Sequence, residues 1–272
     1  MSKISFLNIM LSAAFVLLIS SCATLSGSGV GRVRRYTVES ERLPESFDGV
    51  RVAFLSDLHF PSKFTQKRLR KLVRKIADIG VEILAFGGDY VPSAQNAEPL
   101  FSAFSSLETV YGKYAVAGNH DYKLYDTLRV TAQRNGIAML ADEAAFIAAG
   151  FDTICIAGVY NSFRSTASNK ALVEALPVNQ FTLMLAHSPD FAQDASVVCD
   201  LVLSGHTHGG QVTLFGLYTP VKNTKYGTRF LRGRNLTDNG VTVITTNGVG
   251  TSRRKVRFLV PSEVVVVTLR RR

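Results

Sequence analysis

The sequence predicts an α/β fold in which two mixed β-sheets pack as a sandwich flanked by helices. Short and almost continuous apolar runs, such as residues 50–56, are typical of strands that are buried on both faces. Helical patterns alternate with such runs in the first part of the chain, whereas strand-like segments dominate the last third. Of the 272 residues 46% are hydrophobic, so the chain can bury a sizeable core.

The predicted strands are short segments, most of them apolar. In chain order the runs cover residues 32–38, 50–56, 82–86, 114–117, 137–140, 144–148, 153–157, 181–186, 201–204, 211–214, 229–231, 241–245 and 264–269. Predicted helices lie between them, at residues 66–79, 97–107, 125–134 and 169–176. Because helices and strands alternate early in the chain, we expect the helices to pack on the outer faces of the sheets.

The first of these helices carries clear boundary signals. It follows Thr65, a residue type that caps helix N-termini, and it ends at Gly80. Apolar residues recur within it at helical spacing: Leu69, Leu72, Val73, Ile76 and Ile79. Its other face carries six cations: Lys67, Arg68, Arg70, Lys71, Arg74 and Lys75. We interpret this face either as a solvated surface or as a surface that attracts anionic lipid or substrate.

The formal net charge of +10 favours anionic partners. Phosphoester substrates, nucleic acids and acidic membrane surfaces all meet that description. The sequence has no basic motif interleaved with aromatic residues, so nucleic acid is not an expected partner. Two further basic clusters are interpreted either as solvated ends or as contacts to anionic lipid. They comprise Arg253, Arg254, Lys255 and Arg257, and Arg270, Arg271 and Arg272.

Residues 1–22 resemble a bacterial lipoprotein signal and are set apart from the fold. One cation, Lys3, precedes an uncharged stretch at residues 4–19, and Ser20 and Ser21 come directly before Cys22. The apolar run of about 16 residues is short for a membrane span, which needs roughly 20. We therefore expect Cys22 to be lipidated. An uncleaved membrane anchor is the alternative.

Residues 23–31 are small and flexible, as a tether would be, and residues 32–272 are predicted to form one domain. Either kind of N-terminal attachment would hold this domain at a membrane. We expect a monomer in the bacterial cell envelope, on its extracytoplasmic side.

The remaining two cysteines are expected to be structural. Three cysteines in the chain are too few for a disulfide scaffold. Cys155 and Cys199 lie within apolar, strand-like runs, where a cysteine behaves as a small hydrophobe. We expect both to be buried and free, with a disulfide between them as the alternative.

All five histidines of the chain fall in loops that follow predicted strands. Asp and Asn residues accompany them. The motifs are Asp57-Leu58-His59, Gly87-Gly88-Asp89, Gly118-Asn119-His120-Asp121, His187 and Gly205-His206-Thr207-His208. Since α/β folds place their sites at the carboxyl ends of strands, we expect these side chains to form one site.

The residue types indicate a metal site. Imidazole and carboxylate ligands without cysteine suit Mn, Fe, Zn or Co rather than calcium or an iron–sulfur cluster. In Asp57-Leu58-His59 and in His206-Thr207-His208 the polar side chains are two residues apart, and an extended chain points both to one side. These ligands are too many for one tetrahedral ion. The sequence therefore predicts two divalent ions about 3.5–4 Å apart.

The order of the motifs, D-x-H, G-D, G-N-H-D, a single His and G-H-T-H over residues 57–208, resembles the calcineurin-like metallophosphoesterases. The run GHTHGGQ at residues 205–211 and the run LPESFDG before the second strand are similar to one branch of that superfamily. The branch contains small envelope-associated bacterial phosphodiesterases and UDP-2,3-diacylglucosamine pyrophosphatases. The resemblance covers roughly residues 35–250.

The resemblance implies a role for each motif residue. The first ion would be held by Asp57, His59 and His208, and the second by Asn119, His187 and His206. Asp89 would bridge the two ions. His120 would stabilise charge on the phosphoryl group or protonate the leaving oxygen, and Asp121 would orient the His120 ring.

The implied reaction is hydrolysis of a phosphodiester or pyrophosphate bond, in which a hydroxide that bridges the two ions attacks phosphorus. An anionic, lipid-linked substrate of the envelope would suit the basic face and the tether. One alternative is a UDP-2,3-diacylglucosamine pyrophosphatase, which would face the cytoplasm from an uncleaved anchor. The other is a membrane-tethered protein that is non-catalytic or binds nucleic acid.

We predict that Cys22→Ala leaves a full-length precursor that still fractionates with the membrane, because the side chain that carries the lipid is gone while the apolar segment remains. Fatty-acid labelling and gel mobility measure this, and Cys199→Ala is the matched control that keeps its label. Unchanged mobility or unchanged labelling of Cys22→Ala would contradict lipidation.

Overall fold

The computed structural model describes Ser12, residues 29–213 and residues 218–272. The strands in this part are β1 (Arg32–Ser40), β2 (Arg51–Leu55), β3 (Ile83–Phe86), β4 (Lys113–Ala115), β5 (Ala138–Met139), β6 (Glu143–Ala149), β7 (Asp152–Gly158), β8 (Thr182–Leu185), β9 (Leu201–Ser204), β10 (Gly233–Leu236), β11 (Thr242–Thr245) and β12 (Glu263–Arg271). The α-helices are α1 (Gln66–Ile79), α2 (Ala97–Ser105), α3 (Tyr125–Arg134), α4 (Ala167–Glu174) and α5 (Asp190–Asp194).

The predicted signal segment, apart from Ser12, and residues 23–28 of the predicted tether lie outside the described residues. None of the described helices has the length and apolar character that a membrane span requires.

The strands form two six-stranded mixed sheets, which confirms the predicted fold class. In the first sheet the order is β1-β12-β2-β3-β4-β5, and β12 runs antiparallel to β2 while the other neighbours are parallel. In the second sheet the order is β10-β11-β9-β8-β7-β6, with an antiparallel pair at each edge and parallel strands between them. Helices cover the outer faces of both sheets, so the core has three apolar layers.

Strand β2 explains why the central strands are continuously apolar in the sequence. Val52 and Phe54 lie in the core between the sheets, whereas Ala53 and Leu55 pack in the core beneath the helices of the first sheet. Leu203 of β9 belongs to the same core between the sheets. Both faces of a central strand are therefore buried, and the usual alternation of polar and apolar residues disappears.

Helix α1 has the predicted boundaries, and Arg68 is the one residue of the predicted charged face that is buried. The Thr65 hydroxyl oxygen accepts a hydrogen bond from the backbone N–H of Arg68 at 3.4 Å, and Gly80 ends the helix with a φ of 61°. Arg68 is only 8% exposed. Its guanidinium donates to the carbonyl of Gly29 and lies over the Phe64 ring, 4.3 Å from the ring centroid. Arg68 therefore belongs to the packed side of the helix.

Two predicted strands in the last third are wrong. Within residues 211–214, Val212 makes an isolated bridge to Phe258, and residue 214 lies outside the described residues. Residues 229–231 form a turn that buries Phe230 against the Tyr226 ring, and the edge strand is β10 instead. The apolar run was therefore a sign of burial rather than of strand pairing. Cys155 and Cys199 are buried and free, as expected.

The motif loops follow β2, β3 and β4 of the first sheet and β8 and β9 of the second sheet. Within each sheet these strands are parallel neighbours, so their carboxyl ends lie at one edge. Hydrogen bonds join the two sets of loops, because the backbone N–H of His206 donates to the Asp57 carboxylate at 3.1 Å. The fold thus assembles one site from both sheets.

Candidate metal centre

A cleft of about 430 Å³ opens between the five motif loops. It is lined by His59, Asp89, Asn119, His120, His206 and His208. The remaining predicted site residues, Asp57, Asp121 and His187, are fully buried. The structure therefore gathers all of the predicted site residues in and around one cleft.

One cluster of ligand atoms comprises Asp57, His59 and His208, whose atoms lie within 4.8 Å of one another. His208 Nε2 is 3.3 Å from Asp57 Oδ1 and 3.3 Å from His59 Nε2. The two imidazole rings stack with an interplanar angle of 15°. Two ring nitrogens and a carboxylate oxygen that converge in this way are the donor set of a transition-metal site.

A second cluster comprises Asp57, Asp89 and His187. His187 Nδ1 lies 2.5 Å from the carbonyl oxygen of Gly87, so Nδ1 is the nitrogen that donates a hydrogen bond. His187 Nε2 then faces Asp89 Oδ2 at 3.5 Å. A backbone carbonyl that fixes the ring through one nitrogen and leaves the other for a ligand is the usual arrangement around a metal-binding histidine.

Two buried atoms of these clusters indicate whether the residues fit a metal. Asp57 Oδ1 and His187 Nε2 are buried, and neither has a hydrogen-bond partner among the described residues. A buried polar atom without a partner costs about 1–3 kcal/mol. A divalent cation would satisfy both atoms, so the residues fit a metal centre.

The charge states of His206 and His208 agree with this assignment. Burial lowers the pKa of His208 to about 3 and that of His206 to about 4, so both rings are neutral at pH 7. The neutral ring is the form that binds a metal. Burial also opposes protonation of His187, but the Asp89 carboxylate raises the pKa of this histidine to about 9. The buried carboxylates thus attract positive charge.

His206 and Asn119 lie in the cleft but outside the two clusters. The His206 ring is 5.2 Å from the His187 ring and meets the Phe163 ring edge-on at 4.6 Å, measured between centroids. Asn119 lies on the exposed wall of the cleft. Because Asp57 contributes to both clusters, the geometry offers Asp57 as well as Asp89 as a carboxylate that two ions share.

The loops hold these side chains with strained backbone. A left-handed conformation costs a residue other than glycine about 1–3 kcal/mol. Five residues of the centre adopt it: Asp57 (φ 60°), His59 (47°), Asp89 (58°), His206 (67°) and His208 (52°). Glycines complete the cradle, since a Cβ atom at Gly118 would overlap Asp89 and one at Gly205 would overlap Asp57. The packing around the centre therefore outweighs local backbone preference.

His120 lies beside the clusters. Its side chain is 61% exposed, and its Nε2 is 4.0 Å from Asp89 Oδ2. Its backbone N–H donates to Asp89 Oδ1 at 3.0 Å. The ring therefore points into the cleft next to the clustered ligand atoms.

Asp121 does not make the contact expected from the sequence, which was to orient the His120 ring. Its Oδ2 accepts hydrogen bonds from the backbone N–H groups of Asp89 at 2.7 Å and Gly118 at 2.8 Å, and its Oδ1 accepts one from Tyr90 at 3.0 Å. Burial, together with the charge of Asp89, raises the pKa of Asp121 to about 7. Asp121 thus joins the loops after β3 and β4 and positions the backbone of Asp89.

Arg257 supports the site, although the sequence pattern placed it in a basic cluster interpreted either as a solvated end or as a contact to anionic lipid. It is 1% exposed, and burial lowers its pKa to about 10. The guanidinium donates to the carbonyl oxygens of His208 at 3.1 Å and Gly250 at 2.7 Å, among others on the neighbouring loop. The available signal was its apolar neighbours, Val256 and Phe258, which Arg253 and Arg254 lack.

Comparison with known proteins agrees with the motif order. A model of the calcineurin-like phosphoesterase family matches residues 50–210. An uncharacterized metallophosphoesterase of Aquifex aeolicus is 30% identical over 88% of this chain and 92% of its own length. An uncharacterized metallophosphoesterase of Bacillus subtilis is 29% identical over 99% of this chain and 98% of its own length.

Solved structures with a similar arrangement include the NAD nucleotidase of Haemophilus influenzae. It superposes with a TM-score of 0.49 at 12% identity, over 74% of this chain and 51% of that one. A purple acid phosphatase from yellow lupin superposes with a TM-score of 0.44 at 12% identity, over 81% of this chain and 54% of that one.

We predict that Asp121→Asn destabilises the protein by about 1–3 kcal/mol, because the new amide nitrogen faces a buried backbone N–H that needs an acceptor. Urea unfolding in the presence of a chelator measures this without a contribution from bound ions. The exposed Asp78 of α1 provides the control, since Asp78→Asn is expected to stay within about 0.5 kcal/mol of the parent. An Asp121 variant that keeps its stability and loses only reaction rate would instead support the ring-orienting role.

Proposed function

This chain belongs to the calcineurin-like phosphoesterases, and we propose that it hydrolyses a phosphodiester or pyrophosphate bond with two divalent ions bound in the cleft. The observation that carries the proposal is the pair of buried atoms, Asp57 Oδ1 and His187 Nε2, that lack hydrogen-bond partners among the described residues. They lie in two ligand clusters that share Asp57, and such clusters suit a pair of neighbouring ions.

We assign the ligands as the motif order suggests. Asp57, His59 and His208 would hold the first ion, and Asn119, His187 and His206 would hold the second. Asp89 is the shared carboxylate, supported by its contacts with His59 at 3.6 Å and with His187 at 3.5 Å. Mn, Fe and Zn suit this donor set. When bound, such ions activate water and stabilise charge on the phosphoryl oxygens.

His120 acts on the leaving group. Its ring is exposed in the cleft, and its Nε2 is 4.0 Å from the shared carboxylate of Asp89, so a phosphoryl group at the clusters lies within its reach. An imidazole holds or releases a proton near neutral pH, which suits protonation of a poor leaving oxygen. Asp121 contributes indirectly, because it fixes the backbone of Asp89, and the Asp89 carboxylate accepts a hydrogen bond from the backbone N–H of His120.

The charge of the cleft suits an anionic ester. Lys63 and Arg253 both line the cleft, and the Lys63 ammonium donates to the backbone carbonyl of Arg253 at 2.7 Å. A cationic wall raises the local concentration of anionic substrate. We place the reaction at the cell envelope, and the support for this location is the lipoprotein-like sequence of residues 1–22.

We predict that His120→Ala lowers kcat by roughly 10²–10⁴-fold for an ester with an alkoxide leaving group, because that oxygen needs a proton to depart. The deficit shrinks for p-nitrophenolate, which leaves without one. Metal content stays at the parent value, since His120 is not a ligand. Steady-state kinetics with matched alkyl and p-nitrophenyl esters, combined with metal analysis, measures all three quantities.

Lys123→Ala provides the control, because Lys123 is an exposed cation in the same turn. It is expected to retain parent kinetics with both esters. Equal deficits of His120→Ala for good and poor leaving groups would make the role purely electrostatic. Loss of metal from His120→Ala would show that His120 is a ligand.

A further inference from the structure

A second cavity, of about 250 Å³, lies directly beside the catalytic cleft and is called the side pocket below. The two cavities share the wall formed by His208, Asn223, Ser252 and Arg253. The surface of the side pocket is predominantly apolar, whereas that of the cleft is evenly polar and apolar. A molecule that fills both cavities would therefore meet polar groups at one end and carbon at the other.

The side pocket is apolar although polar residues line part of it, because their polar atoms form hydrogen bonds within the protein. Gln211 lines the pocket, but its amide nitrogen donates to the carbonyl oxygen of Ser252 at 3.1 Å and its amide oxygen accepts from the Ser252 N–H at 2.7 Å. The Thr207 hydroxyl likewise donates to the carbonyl oxygen of Leu231 at 2.7 Å. Because these polar atoms are bonded within the protein, the side chains offer mainly carbon to the pocket.

Val212, Pro220 and Val221 complete the lining away from the cleft. Val212 is 37% exposed and Val221 is 45% exposed, so the pocket leaves apolar surface in contact with water. Covering such surface with a ligand is favourable. Arg253 belongs to the wall that the two cavities share, where the anionic group of an amphiphile would meet its apolar chain.

Resting on the proposed phosphoesterase activity, we propose that the side pocket binds the alkyl or acyl chain of an amphiphilic phosphoester whose phosphate lies in the catalytic cleft. The two cavities are continuous through a shared wall that includes Arg253, which supports this assignment. Binding of the chain is expected to strengthen by about fourfold for each buried methylene until the pocket is full.

The test is a series of p-nitrophenyl n-alkyl phosphodiesters, from methyl to octyl, assayed with the full-length protein below their micellar concentrations. The leaving group is constant along the series, so any trend reports the alkyl chain. We expect kcat/KM to rise with chain length, mainly through a falling KM, and then to level off. In parallel, calorimetry measures the binding of the corresponding n-alkyl phosphonates, which are not hydrolysed.

Val221→Gln places a polar group in the side pocket and is expected to abolish the rise of kcat/KM and of phosphonate affinity with chain length. Val110→Gln is the matched control, since Val110 is a 77% exposed valine outside both cavities. It is expected to reproduce the parent slope. Thermal unfolding of both variants confirms that they are folded.

Two failures are distinguishable. If every ester down to the methyl member resists hydrolysis while phosphonate affinity still rises with chain length, the phosphodiesterase part of the proposed function is wrong and the side pocket stands. If hydrolysis proceeds with a kcat/KM that is independent of chain length, or if Val221→Gln keeps the parent slope, the side pocket proposal is overturned and the phosphoesterase activity stands.

Discussion

The burial of two carboxylates side by side, Asp57 and Asp89, is the constraint on which the site depends. Each is at most 2% exposed, and both contribute to one cluster of ligand atoms within 4.8 Å. Removing such charges from water is costly unless positive charge or hydrogen-bond donors compensate them. The protein supplies donors through the backbone N–H groups of His120 and His206, and His187 gains a raised pKa from the same field. These groups compensate only part of the negative charge of the two carboxylates, so the pair is suited to bind divalent ions.

The scaffold around this pair serves to keep its geometry. Asp121 bonds the loops after β3 and β4 together, and Arg257 bonds the His208 loop to the chain at Gly250. Neither side chain lines the cleft, yet each holds a segment that carries ligand atoms. Backbone strain at the ligands is tolerated because these buried hydrogen bonds and the close glycine contacts leave the loops little freedom. His208 lines both the side pocket and the cleft, so the loop that Arg257 holds in place shapes both cavities.

The sequence predicts those features that have a local cause. The strands buried on both faces leave apolar runs, and Thr65 and Gly80 mark the ends of α1. The motif residues were found because their spacing and their place after strands are visible in the chain. The buried arginines were missed because their partners are backbone carbonyls distant in sequence, such as that of Gly29 for Arg68. The turn at Phe230 was missed for a related reason, since an apolar run signals burial whether or not the strand is paired.

The central claim is that the cleft holds two neighbouring ions, and the most direct measurement is anomalous diffraction from crystals of the protein reconstituted with Mn²⁺, supported by metal analysis in solution. The account predicts two anomalous peaks per chain, both adjacent to Asp89, and a solution content of two ions. It also predicts that Asp89→Asn loses more metal than the same analysis finds for any other single-ligand variant. A single peak, or an active preparation with one ion or none, would contradict the account.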